Sequence, residues 1–308
     1  MTASKTFCGF VAILGAPNAG KSTLVNQLVG QKVSIVSRKV QTTRMRVRGI
    51  AMEGPAQIVL VDTPGIFAPR RRLDRAMVDA AWGSTPDADA ILLLVDAPSL
   101  IADPKGLAAQ DTDRIVEGLK TQNRRAFLAL NKIDEVARDR LLPLAERLNA
   151  AGPFDETFMI SGLKGDGTDV LRRALARKMP KGPWVYPADQ AADLPQRLLA
   201  AEVVREHLYN RLHDELPYAS TVETEKWEER KDGSARIDQT IYVERDSQKA
   251  IVLGKSGATI KEIGERARHE LEKMLDRRVH LFLHVKVKDK WGDDPARYRS
   301  MGLDFPKG

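Results

Sequence analysis

Phe10-Val11-Ala12-Ile13-Leu14-Gly15-Ala16-Pro17-Asn18-Ala19-Gly20-Lys21-Ser22-Thr23 is the stretch that decides the fold. Its apolar part, Phe10 to Leu14, reads as a strand, and Thr23 to Leu28 reads as the helix that follows. The glycines between them allow a tight turn whose N–H groups point inward at a phosphate chain. Lys21 then reaches the β- and γ-phosphates, and the Ser22 hydroxyl is placed to ligate Mg²⁺. Gly15, Asn18, Ala19, Gly20, Lys21, Ser22 and Thr23 are thus the expected phosphate-binding residues. The loop by itself says only nucleoside triphosphate.

Asn131-Lys132-Ile133-Asp134 follows a second apolar strand, Arg125 to Leu130. A carboxylate at Asp134 accepts two hydrogen bonds from the N1–H and N2–H₂ edge of guanine. Adenine has no matching donor pair, and a buried carboxylate without partners is costly. Asn131 would tie this loop to the phosphate loop, and the Lys132 stem would cover one face of the base. Ser161-Gly162-Leu163, after the short strand Thr157 to Ile160, is where a backbone N–H would meet guanine O6.

Asp62-Thr63-Pro64-Gly65 ends the strand Ala56 to Val61. Asp62 fits the carboxylate that stands behind the Mg²⁺ ligands in phosphoryl-transfer sites, and Gly65 supplies an N–H for the γ-phosphate. The polar segment Gln41-Thr42-Thr43-Arg44 lies between these motifs. One of its threonines would complete the metal shell only when a γ-phosphate is present. Thr43 is the expected ligand and Thr42 the alternative. The metal set is then Ser22, Thr43 and Asp62, and the residues closest to the chemistry are Lys21, Thr43 and Gly65.

In this order the motifs resemble the translation-factor class of GTPases and, within it, the Era family. The resemblance covers nearly the whole chain. It implies a slow GTPase that switches between GTP and GDP. It also implies binding to small-subunit (16S) ribosomal RNA near its 3′ end, and help in assembling the small ribosomal subunit. It implies peripheral contact with the cytoplasmic membrane, for which the sequence offers no amphipathic or lipidation signal. The chain is expected to act as a cytoplasmic monomer.

The 308 residues suffice for two domains with real cores. One cysteine, Cys8, excludes a disulfide framework and fits a reducing cytosol. No cysteine–histidine cluster has zinc spacing. The longest apolar run, Ala90 to Val95, is closed by Asp89 and Asp96 and reads as a buried parallel strand. A net charge of +7 invites a nucleic-acid reading. Its placement does not support one simply: from Lys181 onward basic and acidic residues number 23 each. A local excess remains between Arg245 and Lys290, with 12 basic against 7 acidic residues. The fold must therefore carry the RNA argument.

Residues 1–178 alternate strand and helix. This predicts an α/β P-loop domain, a mostly parallel sheet with helices on both faces and ligands at the carboxyl ends of its strands. Residues 179–193 read as a proline-rich linker. A smaller α+β domain spans 194–290. It opens with an amphipathic helix carrying Leu194, Leu198, Ala201, Val204, Leu208 and Leu212 and ended by Pro217. Strands follow over about Ser220 to Arg230 and Ser234 to Glu244, then a short helix from Gln248 to Leu253. The loop Gly254-Lys255-Ser256-Gly257, a helix from Ala258 to about Leu275 and a strand from Val279 to Val287 complete it.

A lone G-x-x-G is a weak signal. In this element order it resembles a K-homology domain of type II topology, with Gly254, Lys255, Ser256 and Gly257 as its RNA-binding loop. Without side chains at the two glycines an RNA backbone can lie against the loop, and Lys255 supplies charge to the phosphates. The tail, 291–308, is polar with a few aromatics, and its sequence does not decide whether it packs on the domain or orders on RNA.

Gly65 is followed by Ile66 and Phe67, which cannot orient a water as a glutamine would. Asn18 resembles the asparagine with which related GTPases help hold a potassium ion. K⁺ is therefore the expected second cation beside Mg²⁺. Two other readings compete. One is an RNA-binding scaffold whose nucleotide site is only structural, against which the intact Lys21, Ser22 and Asp62 argue. The other, a small-molecule P-loop kinase, lacks an evident lid.

Overall fold

The computed structural model describes residues 5–37, 39, 42–213 and 216–306. Gln41 of the polar segment and the last two residues of the tail lie outside them. The chain divides into two compact units: 1–34, 43–193 and 299–308 form one, 35–42 and 194–298 the other.

The first unit runs β1 (Phe7–Leu14), α1 (Lys21–Val29), β2 (Val47–Glu53), β3 (Ala56–Asp62), α2 (Arg72–Trp82), β4 (Ala90–Asp96), α3 (Ala97–Ala102), α4 (Leu107–Thr121), β5 (Ala126–Asn131), α5 (Leu141–Ala151), β6 (Phe154–Met159), α6 (Thr168–Lys178) and β7 (Ala192–Asp193). Its seven strands lie in the order β6-β5-β4-β1-β3-β2-β7. β1 and β4 to β6 run parallel to their neighbours, β3 is parallel to β1, and β2 is antiparallel to β3. Alternation along the central strands fills two cores. Ala12, Leu14, Ile91, Leu93 and Val95 point into one; Val11, Ile13, Leu92 and Leu94 point into the other. Both faces being covered explains why β4 is apolar from Ala90 to Val95.

Two features differ from the sequence reading. α1 begins at Lys21, two residues before the expected start, because Gly20 in the left-handed region (φ 94°) already serves as its N-cap. The proline-rich stretch is not an open spacer. Val185 and Tyr186 donate their N–H groups to Oε1 of the buried Gln57, whose Nε2 donates to the Tyr186 carbonyl. β7 then adds to the sheet edge, antiparallel to β2. Buried backbone groups need partners, and one glutamine side chain provides three.

The second unit runs α7 (Gln196–Arg211), β8 (Ser220–Glu229), β9 (Ala235–Val243), α8 (Asp246–Leu253), α9 (Ala258–Leu275), β10 (Val279–Val287) and, into the tail, α10 (Pro295–Ser300). The sheet order is β10-β9-β8, with β10 parallel and β8 antiparallel to β9. Val203, Val204 and Leu208 of α7 join Ile237 and Ile241 of β9 and Ile263, Ala267 and Leu271 of α9 in one core.

α7 is buried on more than its apolar face. Arg205 is 2% exposed and forms a fork with Glu202, while its Nη2 donates to the Thr42 carbonyl. Glu206 accepts from the Val36 amide. A one-sided amphipathic reading misses this, because segment 35–42 arrives from far away in sequence. The tail packs in both units: in the second, Trp291 is buried and donates Nε1–H to the Ala219 carbonyl and Arg297 lies 4.0 Å above the Tyr242 ring; in the first, Leu303 is buried and Arg72 lies 5.0 Å from the Phe305 ring.

Candidate functional site

The phosphate loop joins the C-terminal end of β1 to α1. Asn18 (φ 63°) and Gly20 both hold left-handed backbone, and no acidic residue or side-chain cap occupies the first turn of α1. Its N-terminal amides and positive dipole end are thus left for an anion. A Cβ at Gly20 would strike Nδ2 of Asn131. Asn131 comes this close because Nδ2 donates to the Ala19 carbonyl (2.8 Å) while Oδ1 accepts from the Gly162 amide (2.8 Å). One buried amide therefore fixes the phosphate loop and the Ser161–Leu163 loop to each other. Thr23 sits in the first turn of α1.

Lys21 is buried and folds back on its own loop, donating to the carbonyls of Gly15 and Ala16 at 3.0 Å each. Burial pushes its ammonium down to about 8, against the attraction of Asp62. The Ser22 hydroxyl donates to Asp62 Oδ2 (2.7 Å) and lies 2.8 Å from Thr43 Oγ1. Asp62 is fully buried, so its carboxyl is raised above the usual range; the Ser22 bond and the Lys21 charge oppose this. Its Oδ1 is buried without a hydrogen-bond partner. Three clustered oxygens with one of them orphaned suit a hard divalent cation, which takes oxygen ligands. Ser22, Thr43 and Asp62 fit Mg²⁺. The Thr42 hydroxyl is engaged elsewhere, with Ser37 Oγ (2.6 Å) and the Lys39 carbonyl (2.8 Å). Of the two threonines, Thr43 is the one beside Ser22 and Asp62.

Gly65 packs so tightly on Pro17 that a Cβ would lie 2.9 Å from the Pro17 nitrogen. The next amide, Ile66, donates to the Gly15 carbonyl (3.1 Å), and Thr63 Oγ1 donates to the Ile13 carbonyl (2.6 Å). The loop after β3 is thereby pinned to the phosphate loop. Ile66 is wholly buried.

At the end of β5, Lys132 takes a left-handed conformation (φ 64°) and its Nζ pairs with Asp96 Oδ2 at 2.5 Å. Asp96 was legible only as the close of an apolar run. It also caps α3 by accepting from the Ser99 amide. It holds the lysine stem in place, a role only the parallel alignment of β4 and β5 reveals. The Ser161 hydroxyl holds the Asp134 carboxyl below its usual range, with Lys164 Nζ 3.6 Å away. Gly162 has spent its amide on Asn131, which leaves the exposed Leu163 as the candidate donor to a base carbonyl.

In the second unit the G-x-x-G loop is a tight turn between α8 and α9. Gly254 (φ 72°), Ser256 (φ 53°) and Gly257 (φ 78°) all lie at positive φ. Gly254 cannot carry a Cβ without meeting Thr259, whereas Gly257 faces open space. Lys255 and Ser256 are exposed.

Residues 10–132 match the family described as 50S ribosome-binding GTPase, and residues 215–292 match the KH domain family. The GTPase Era of Brucella suis biovar 1 is 61% identical over 304 residues, 99% of this chain and 96% of the relative. The GTPase Era of Afipia carboxidovorans is 61% identical over 305 residues, 99% of this chain and 97% of the relative. This chain belongs to the Era family of GTPases. A crystal structure of a point variant of Aquifex aeolicus Era bound to GDP·AlF₄⁻ superposes with a TM-score of 0.89 at 39% identity, covering 96% of this chain and 99% of that one. Era in complex with MgGDPNP and nucleotides 1506–1542 of 16S ribosomal RNA matches equally well, with a TM-score of 0.89 at 38% identity and the same coverage. The chain is a GTPase, with a P-loop GTPase fold followed by a K-homology domain. Among the described residues no helix is long and apolar enough to cross a membrane.

Proposed function

We propose that this GTPase binds GTP with Mg²⁺ and uses the bound nucleotide to control its association with 16S ribosomal RNA near the 3′ end, assisting assembly of the small ribosomal subunit. The observation that carries the nucleotide half is the buried oxygen cluster of Ser22, Thr43 and Asp62 with its orphaned Oδ1. Lys21, now on two carbonyls, would exchange them for phosphate oxygens. Ser22, Thr43 and Asp62 would hold Mg²⁺, which would supply the remaining charge neutralisation at the phosphates. Gly65 would supply an N–H donor to the γ-phosphate and the phosphate-loop and α1 amides to the α- and β-phosphates, and Asp134 with Leu163 would read guanine.

The RNA half rests on the G-x-x-G geometry, the KH match and the complex of the 38%-identical Era with a 16S fragment. That complex favours the small subunit over the large one that the GTPase family's description mentions. The test is phosphate release under multiple turnover, with and without an RNA of nucleotides 1506–1542. Turnover that responds to this RNA and not to a scrambled one is the expected result. No turnover with intact GTP binding would instead favour a scaffold.

Water activation is a separate matter. Ile66 is buried and cannot bond the attacking water. Asn18 is exposed at positive φ on the phosphate loop, where its side chain would help hold K⁺ near the β–γ bridge. Phosphate release is expected to be faster in KCl than in matched NaCl, with the difference lost in Asn18→Ala. Equal rates in the two salts would remove the potassium role.

A further inference from the structure

The second unit contains a cavity of about 350 Å³. Leu212, Leu216 and Ile251 form its apolar walls. Arg211, His213, Gln248 and Thr259 supply its polar groups. It is bounded by the end of α7, one face of α8 and the first turn of α9. This is not the groove that a K-homology domain offers to about four nucleotides. That groove belongs where α8, α9 and β10 meet, at the half-buried Leu253, Ile260, Leu281 and Leu283, none of which lines the cavity. Gln248 and Ile251, three residues apart, present a different face of α8.

Two observations say what the cavity takes. The first is continuity with the RNA loop. Thr259, on the cavity wall, is the residue that a Cβ on Gly254 would strike, so the cavity adjoins the G-x-x-G turn. The second is that, among the described polar lining residues, Arg211 and Gln248 present only donors, while His213 and Thr259 can donate or accept. Gln248 spends its Oε1 on the amides of Glu244 (2.9 Å) and Arg245 (3.1 Å), so its NH₂ is what it can offer a ligand. Arg211 can only donate; Glu262 accepts from its Nε at 2.8 Å and steadies the guanidinium plane. Lys39 donates to the Leu212 carbonyl and adds a cation beside that wall. Apolar walls with a few convergent donors, at this volume, are the features of a small-ligand site.

We propose that this cavity receives one unstacked nucleobase of the RNA whose backbone crosses Gly254–Gly257, and that it favours a base presenting carbonyl oxygens. The inference rests on the K-homology reading. The apolar walls cover the faces of the base, and the Gln248 and Arg211 donors meet its carbonyl edge. It adds a base-reading position on the flank of α8 opposite the ordinary groove.

The experiment uses the full chain and a fluorescein-labelled RNA of nucleotides 1506–1542, in which single-stranded positions are made abasic one at a time. Anisotropy titration should find a position where loss of the base costs the native protein about tenfold, within the range of single-base contacts. Ile251→Trp fills the cavity. It should weaken the intact RNA by about the same factor and abolish the penalty at that one abasic position, leaving the rest of the profile in place. Arg211→Ala, at a half-exposed residue and therefore safe for folding, should shrink the penalty at the same position. An unchanged abasic profile in both variants, with native affinity for the intact RNA in Ile251→Trp, would overturn the proposal. RNA binding indifferent to Lys255→Asp combined with Ser256→Asp would instead overturn the K-homology reading beneath it.

Discussion

The nucleotide site and the G-x-x-G loop solve opposite problems. In the first, the polar groups are buried or half-buried, and each is held by another: Lys21 on two carbonyls, Ser22 on Asp62, Asn131 on Ala19 and Gly162. Only Asp62 Oδ1 is left over within this set. In the second, Lys255 and Ser256 stand in solvent on a backbone bent by three left-handed residues. A buried polar site concentrates energy in single side chains, because losing a partner strands a desolvated group. An exposed loop relies on shape and on several weak, screened contacts. Single substitutions should therefore be severe in the first region and graded in the second.

The sharpest separation is expected at Asp134. Asp134→Asn replaces an acceptor for the guanine N1–H and N2–H₂ edge with an amide. Asp134 is an exposed residue, not the buried carboxylate the sequence suggested, so the preference for GTP over xanthosine triphosphate should fall or reverse by roughly 10²- to 10⁴-fold, the scale of two lost hydrogen bonds to a charged acceptor at about 1.5–3 kcal/mol each. A competition titration measures it, and native protein binding ATP as well as GTP would break the assignment.

Lys21→Ala comes next. Loss of the direct cation to the β- and γ-phosphates should weaken GTP by about 10²- to 10³-fold, within the range of about 2–5 kcal/mol for truncating one partner of a buried charge pair. RNA binding without nucleotide should persist. A folded variant, judged by circular dichroism, that loses RNA binding as well would show that the two regions are not separate modules.

Lys21 also predicts a pH dependence. Burial lowers its pKa from 10.5 to about 8. Below pH 8 both folded and unfolded chains carry the proton, and the folded one bears a buried cation. Between pH 8 and 10.5 the folded chain has released a proton that the unfolded chain still holds, so the contribution to stability rises with pH. Native protein should gain stability relative to Lys21→Met across this window, by on the order of 1–3 kcal/mol. Denaturant titrations at pH 7 and 10 check it; a constant difference would mean that Lys21 keeps its proton.

The smallest effect is expected in the exposed loop. Lys255→Asp with Ser256→Asp places carboxylates where phosphates should lie. RNA affinity should fall roughly 10- to 30-fold, about 1–2 kcal/mol, and the loss should shrink as salt screens it. GTP affinity should stay as in the native protein. Unchanged RNA binding across a salt titration would remove this loop from the interface.

Chemistry that admits few residue types was readable from the sequence. The turn through Gly15, Gly20, Lys21 and Ser22 and the turn carrying Asp134 each show as a motif at the end of an apolar strand, β1 and β5. The apolar run of β4 announced a strand covered on both faces because no polar side chain could be accommodated there. Tertiary structure alone decided the rest. It put Thr43 rather than Thr42 beside Ser22 and Asp62 and aligned β4 with β5 so that Asp96 meets Lys132. It also used Gln57 to fasten 185–186 to the first unit, set Arg205 of α7 on the Thr42 carbonyl, and buried Trp291 of a tail that reads as polar. Each of these is a polar or aromatic group satisfied by a partner distant in sequence. Local pattern fixes which face of an element is apolar; it carries no record of which far segment will supply the hydrogen bond that a buried group requires.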